Sequence, residues 1–171
     1  SYANIDMSEK YIDVRHVLLQ PEGGEAGADG YPVFTDEAWE ACRKQAEEIY
    51  SKWQEGDLSE ESFAQLAKDH SVDGSASNGG LYEDVYLGKM VKPFEEWIFD
   101  DARTEGETGL VKTEYGYHIM YFVGTQEAWV KAAKTWYAQD READLLETGA
   151  ETWEIETYTA LFCIKEFDLG A

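Results

Sequence analysis

The sequence predicts an α+β domain, and three observations carry that reading. Two short apolar segments with the period of a strand stand about a hundred residues apart, around His16 and around His118. Between them run two helical periods, each opened by a capping residue. Six Trp, eleven Tyr and seven Phe within a 43% hydrophobic composition supply a real core for a 171-residue chain.

The elements follow in order. Residues 1–10 are polar, lack a period and read as a lead-in. Val14, His16 and Leu18 alternate with Arg15, Val17 and Leu19, apolar on both faces, which predicts a strand central in its sheet. The glycine-rich segment from Pro21 to Pro32 is a long loop. Thr35 caps a helix whose first turn carries Asp36 and Glu37, on the positive end of the helix dipole. Trp39, Cys42, Ala46, Ile49, Tyr50 and Trp53 form its apolar face, and Gly56 ends it. Ser59 caps a second helix, with Leu58 stapled onto Phe63 and a buried stripe of Phe63, Leu66, Ala67 and His70.

Asp73 to Gly80 is a small-residue loop, and Leu81 to Leu87 reads as irregular. Pro93 suits the first turn of a short third helix with Phe94, Trp97 and Ile98 on one side. Leu110–Thr113, a turn at Glu114–Gly116 and a strand at 117–123 close the core. Beyond Gly124 the character changes. Trp129, Ala132, Ala133, Trp136 and Tyr137 mark an amphipathic helix to about Leu146, and Trp153, Ile155, Thr157 and Thr159 alternate as a strand. The expected organisation is a lead-in (1–10), a core domain (11–125) and a C-terminal helix-and-strand extension (126–171).

Composition excludes several functions. The formal charge of -22, from 36 acidic against 14 basic side chains, repels phosphate backbones and anionic bilayer surfaces, so neither nucleic acid nor membrane contact is expected. Basic or unfolded polypeptides suit such a surface better. Cys42 falls on a helix stripe and Cys163 in an apolar stretch, so neither belongs to a disulfide framework or a redox motif. Three scattered histidines make no metal-ligand set, and no metal or cofactor is expected. No stretch approaches the ~20 apolar residues of a membrane span, and no signal peptide is present. The chain begins with Ser rather than Met, as expected of a processed or trimmed piece.

Four segments stand in a telling order: Val14-Arg15-His16-Val17-Leu18-Leu19, Ser71-Val72-Asp73-Gly74-Ser75-Ala76-Ser77-Asn78-Gly79-Gly80, Gly88-Lys89-Met90-Val91-Lys92-Pro93-Phe94-Glu95 and Tyr115-Gly116-Tyr117-His118-Ile119-Met120. This ordered set resembles the parvulin family of peptidyl-prolyl cis/trans isomerases, from roughly Asp13 to Gly124. The resemblance implies a parvulin/FKBP-like fold, with a small antiparallel four-stranded sheet surrounded by helices. It also implies rotation about X–Pro bonds of unfolded or nascent chains, as in bacterial foldases. An extracytoplasmic parent goes with it, one that can be lipid-anchored.

By that resemblance the proline ring would be held by Met90 and Phe94. Tyr82 stands where the family has a pocket leucine, because Gly79-Gly80-Leu81-Tyr82-Glu83 replaces the common Gly-Gly-Asp-Leu-Gly, and the local turn differs with it. Tyr115 occupies a position often held by Ser or Phe. A polar floor under the amide would be built from His16, Asp73, Thr113 and His118. The two histidines fall on strands expected to be neighbours and would fix each other's tautomers. Asp73 would either act on the amide electrostatically or orient the histidines. A lone histidine on an apolar strand is more often a hydrogen-bonded core residue, and the pair gains its functional reading from the motif order; His70, on the second helix, is read as structural.

Such an isomerase breaks no bond. The rotation barrier is ~18–20 kcal/mol, and a thousandfold gain needs only ~4 kcal/mol of tighter binding to the twisted amide. Isomerases of phosphorylated Ser/Thr-Pro need Arg or Lys to hold the phosphate. Here no Lys or Arg lies between His16 and Arg43, whereas Glu22, Glu25, Asp29, Asp36, Glu37 and Glu40 do, which excludes phosphate specificity. Two other readings stand beside the enzyme: a non-catalytic chaperone module binding extended apolar segments, and an assembly scaffold on an inactive isomerase fold.

Overall fold

The computed structural model describes residues 10–26, 32–128, 130–132 and 135–138. Its first compact unit, Ser1–Lys131, holds the sheet. Strand β1 (Lys10–Leu19) is followed by the two-residue strands β2 (Glu25–Ala26) and β3 (Pro32–Val33), helices α1 (Asp36–Gln54) and α2 (Glu60–His70), and β4 (Leu81–Val85). Helix α3 (Lys92–Ile98), β5 (Thr108–Thr113) and β6 (Gly116–Glu127) complete it. The main sheet has the order β4-β1-β6-β5, all antiparallel. This is the four-stranded α+β architecture expected, with β1 flanked on both sides.

Both faces of the sheet are covered. Val17, Leu19, Ile119 and Tyr121 turn to one face and pack with Cys42, Ala46 and Trp53 of α1 and Phe63 and Ala67 of α2. Ile12, Val14, Met120, Phe122 and Val111 turn to the other, against Phe94 and Ile98 of α3. Burial on two faces makes residues 118–122 continuously buried. Phe63, fully buried, has Trp53 edge-on at 5.3 Å and Tyr121 at 5.2 Å between ring centroids.

The caps form as read. Thr35 Oγ1 accepts from Ala38 N, and Ser59 Oγ accepts from Ser62 N. Cys42 is buried, and its thiol donates to the Leu19 carbonyl at 3.2 Å. Leu58 is half exposed with φ +58°.

Three expectations are corrected. Residues 81–85 are a strand rather than irregular. Val14 pairs with Tyr82 and Ile12 with Val85, so β4 spends one extra residue there. Asp84 takes that place with φ +54°, its N–H donating to Asp13 Oδ1 at 2.8 Å. A bulge spaces the inward residues three apart and hides the period of two. The loop 21–32 contains the short β2–β3 pairing. His70, placed on the buried stripe of α2, is exposed: it is the last residue of the helix, past the turn that Ala67 anchors.

Strand β6 runs on to Glu127, its last residues pairing with Lys10–Asp13. Residues 128, 130 and 131 are helical in the first unit, and 132 and 135–138 in the second, Ala132–Ala171. Trp129, Ala133, the remainder of the expected helix, the strand at 153–159 and Cys163 lie outside the described residues. No helix among those described is long and apolar enough to cross a membrane.

Candidate active site

His16 and His118 meet because of register. His16 pairs with Met120 and His118 with Leu18, so the two histidines are diagonal neighbours on one face of β1–β6. Their Nδ1 atoms are 3.1 Å apart and their rings lie near parallel, 24° apart with centroids at 5.3 Å. Both are almost wholly buried.

The loop after α2 is stitched to the edge of β1. Val72 N donates to Leu18 O at 2.9 Å, Ser71 Oγ accepts from Leu18 N at 3.0 Å, and His16 N donates to Gly80 O at 2.9 Å. Gly80 has φ +69°, and a Cβ there would fall 2.1 Å from the His16 carbonyl oxygen, so only glycine permits this approach. Arg15 holds the same loop from outside. Its guanidinium donates to the carbonyls of Asn78 (3.1 Å) and Gly79 (3.0 Å) and to Glu60 of α2 at 2.8 Å.

That stitching delivers Asp73 to His16, with Oδ1 3.3 Å from Nε2. The carboxylate also accepts the Ser75 N–H at 2.8 Å, the Ser75 hydroxyl, and the Tyr82 hydroxyl at 3.1 and 3.0 Å from its two oxygens. The hydrogen bond with His16, helped by Ser75, holds the Asp73 carboxyl well below the usual carboxylate range despite its burial. At the other end Thr113 Oγ1 lies 2.9 Å from His118 Nε2 and accepts the Tyr115 N–H at 3.1 Å.

The proton positions follow from this chain. The Ser75 hydroxyl spends its hydrogen on the ionised Asp73, so His16 Nε2 faces two acceptors, Asp73 Oδ1 and Ser75 Oγ, each at 3.3 Å, and therefore carries the hydrogen. His16 Nδ1 is then an acceptor, His118 Nδ1–H its donor, and His118 Nε2 the acceptor of the Thr113 hydroxyl. Every donor points one way, from the Tyr115 N–H to the Asp73 anion. Burial above all, with His16 adding to it and Asp73 opposing, pushes the His118 pKa down to about 3, which keeps this ring neutral.

Phe94 stands edge-on to both histidines, at 5.4 Å from each ring centroid and 86° and 84° to their planes. Tyr82 lies tilted on His16 at 4.6 Å. Met90, just before the start of α3, is half-buried in the same apolar cluster. Tyr115 is 37% exposed at the β5–β6 turn. The structure thus brings His16, Asp73, Tyr82, Phe94, Thr113 and His118 into one contact network, with Met90 and Tyr115 at its rim. Phe94, Thr113 and the histidines form the buried support, while Met90, Tyr82, Tyr115 and, in part, Asp73 are the members that solvent reaches.

Sequence reasoning missed Ser75 and Arg15. Ser75 lies two residues beyond Asp73, the spacing of an aspartate accepting from the backbone of its own turn. That signal was present in Asp73-Gly74-Ser75. Arg15 carries no local signal, since its partners lie 45 to 64 residues away.

Comparison with known proteins gives the family of this arrangement. The description "Rotamase: PPIC-type PPIase domain" matches residues 16–124. Foldase protein PrsA 1 of Listeria innocua serovar 6a is 32% identical over 120 residues, which is 70% of this chain and 32% of that protein. Foldase protein PrsA of Geobacillus kaustophilus is 45% identical over 78 residues, 45% of this chain and 26% of that protein. The chain spans about a third of the length of such relatives. Among solved structures, a PpiC-type peptidyl-prolyl cis-trans isomerase domain superposes with TM-score 0.54 at 19% identity, covering 71% of this chain and 95% of that one. The PPIase domain of TbPar42 gives 0.53 at 24% identity, covering 66% and 99%. Both likenesses are of fold.

Proposed function

This chain belongs to the PPIC-type (parvulin) peptidyl-prolyl cis/trans isomerase family, and on that premise we propose that residues 11–125 accelerate rotation about X–Pro bonds of unfolded or nascent polypeptides, without phosphate specificity. The observation that carries the reading is that all four ring nitrogens of His16 and His118 are bonded within the protein. The pair has no free base or nucleophile to offer, so a non-covalent reaction suits it. The proline ring packs on Met90 and Tyr82, which solvent reaches, with the buried ring of Phe94 behind them. Planar amide resonance is charge-separated and favoured by water, so an apolar wall that strips water from the amide favours the twisted form.

In this reading Asp73 orients the histidines rather than acting on the amide, because its oxygens are taken by donors from the protein itself. Thr113 fixes the His118 ring, and Tyr115 forms the rim. An extracytoplasmic parent, in line with the foldase relatives, is part of the same proposal.

The test is exchange NMR or a protease-coupled assay on unphosphorylated Xaa-Pro peptides with micromolar protein. Catalysed exchange is expected, unchanged by EDTA. No acceleration, together with suppression of client aggregation, would favour the chaperone reading. For that second reading Tyr86 and Leu87, 52% and 70% exposed a few residues before Met90 in the chain, are the supporting observation.

A further inference from the structure

Tyr82 stands where a pocket contact is expected, yet its polar end is turned inward. The hydroxyl lies 3.1 Å from Asp73 Oδ1 and 3.0 Å from Oδ2, and among the described residues it is the donor that reaches Oδ2. The same ring lies on His16 at 4.6 Å between centroids. Tyr82 thus grips both ends of the Asp73–His16 contact.

The placement is built into the backbone. The bulge at Asp84 lets Tyr82 pair with Val14, two residues from His16 on the same face of β1. Oδ1 is already held by the Ser75 N–H. The remaining freedom of the carboxylate is rotation about its own axis, and a donor on Oδ2 removes it. If the carboxylate turned, Oδ1 would leave His16 Nε2 to the Ser75 hydroxyl at 3.3 Å, which can donate as well as accept and so does not fix a hydrogen on that nitrogen.

We propose that Tyr82 is a positioning residue: by gripping the Asp73 carboxylate it holds His16 in the Nε2–H form and, through it, His118 in the Nδ1–H form with the Thr113 hydroxyl directed at His118 Nε2. The proposal rests on the isomerase reading only for its effect on rate. Burial, together with the carboxylate, pushes the Tyr82 pKa up to about 12, so the phenol stays a donor over the working range.

The experiment uses the full chain labelled with ¹⁵N at histidine, with tautomers read from two-bond ring correlations. Wild type should show His16 as Nε2–H and His118 as Nδ1–H, the less common form of a free imidazole. A wild-type spectrum with His118 as Nε2–H overturns the proposal without any variant. Tyr82→Phe keeps the ring and removes the donor. It should mix the His16 tautomers and lower kcat about tenfold with KM within twofold. Unchanged tautomers, or a raised KM at constant kcat, would overturn the positioning role and leave Tyr82 as a substrate contact alone.

The double variant Y82F/D73N should be no worse than Asp73→Asn alone, since the phenol acts through that carboxylate. Additive losses would overturn the proposal. A wild-type chain without isomerase activity would remove the functional reading, while the tautomer spectra would still decide the positioning one.

Discussion

His16 Nδ1 and His118 Nδ1 face each other at 3.1 Å, so one ring must donate where the other accepts, and a second proton between them would be repelled. His118 is the member whose pKa is driven down to about 3, chiefly by burial. Folding therefore depends on pH in a definite direction. An unfolded histidine takes up its proton near pH 6.5, while the native ring stays neutral, so the unfolded state binds more protons and acid favours it.

Stability should fall by up to ~1.4 kcal/mol per pH unit from about pH 6.5 toward pH 3, or ~2 kcal/mol by pH 5. Asp73, with its pKa lowered, adds a further loss only below about pH 4, where unfolded carboxylates protonate. Urea titrations at half-unit steps between pH 7 and 5 check this. His118→Phe should flatten the slope, and an equal slope in that variant would assign the acid sensitivity elsewhere.

Removing the ring altogether is costlier. His118→Ala empties a space bordered by Phe94 and His16 and leaves the Thr113 hydroxyl without its acceptor. A loss of ~2–4 kcal/mol is expected, together with most of the activity. A melting curve and peptide rate both equal to wild type would show that the paired histidines neither support the sheet nor serve the site.

What the sequence revealed of this site is what depends on order and strand period. His16 and His118 could be placed on neighbouring strands, because both segments carry an apolar period of two. Met90 and Phe94 could be placed together, because Pro93 starts a helix between them. The strand at 81–85 was hidden by one residue, Asp84, whose positive φ breaks the alternation. Burial depth was hidden as well. Nothing in the residue types says that Phe94 is sealed at 2% exposure while Met90 stays accessible, since that depends on how α3 meets the sheet. Arg15 and Ser75 act through partners that only the folded loop supplies.

Phe94 and Met90 should separate by that difference in depth. Phe94→Ala should cost ~3–5 kcal/mol of stability and lower kcat/KM with it, because its ring supports both histidines. Met90→Ala, at the rim, should cost well under half of that and act mainly on KM. Denaturation midpoints and peptide kinetics for the two variants distinguish them. Equal stability losses would place Met90 in the support rather than at the rim.

The segment between His16 and Arg43 carries six carboxylates and no Lys or Arg. Glu40 is engaged by Arg43 and Lys44, which lowers its pKa, and the other five add negative charge to that stretch of sequence. If that segment overhangs the site, a peptide with Lys or Arg before proline should be turned over faster than one with Glu or phosphoserine. Exposed charges contribute only ~0.2–1 kcal/mol per pair, so the preference should be severalfold. It should fade toward 1 M salt, where the Debye length falls to ~3 Å. Lys-Pro and Glu-Pro peptides compared at low and high ionic strength check both parts. Equal rates at low salt would mean that the acidic segment faces away from the substrate, and its charge would then serve solubility alone.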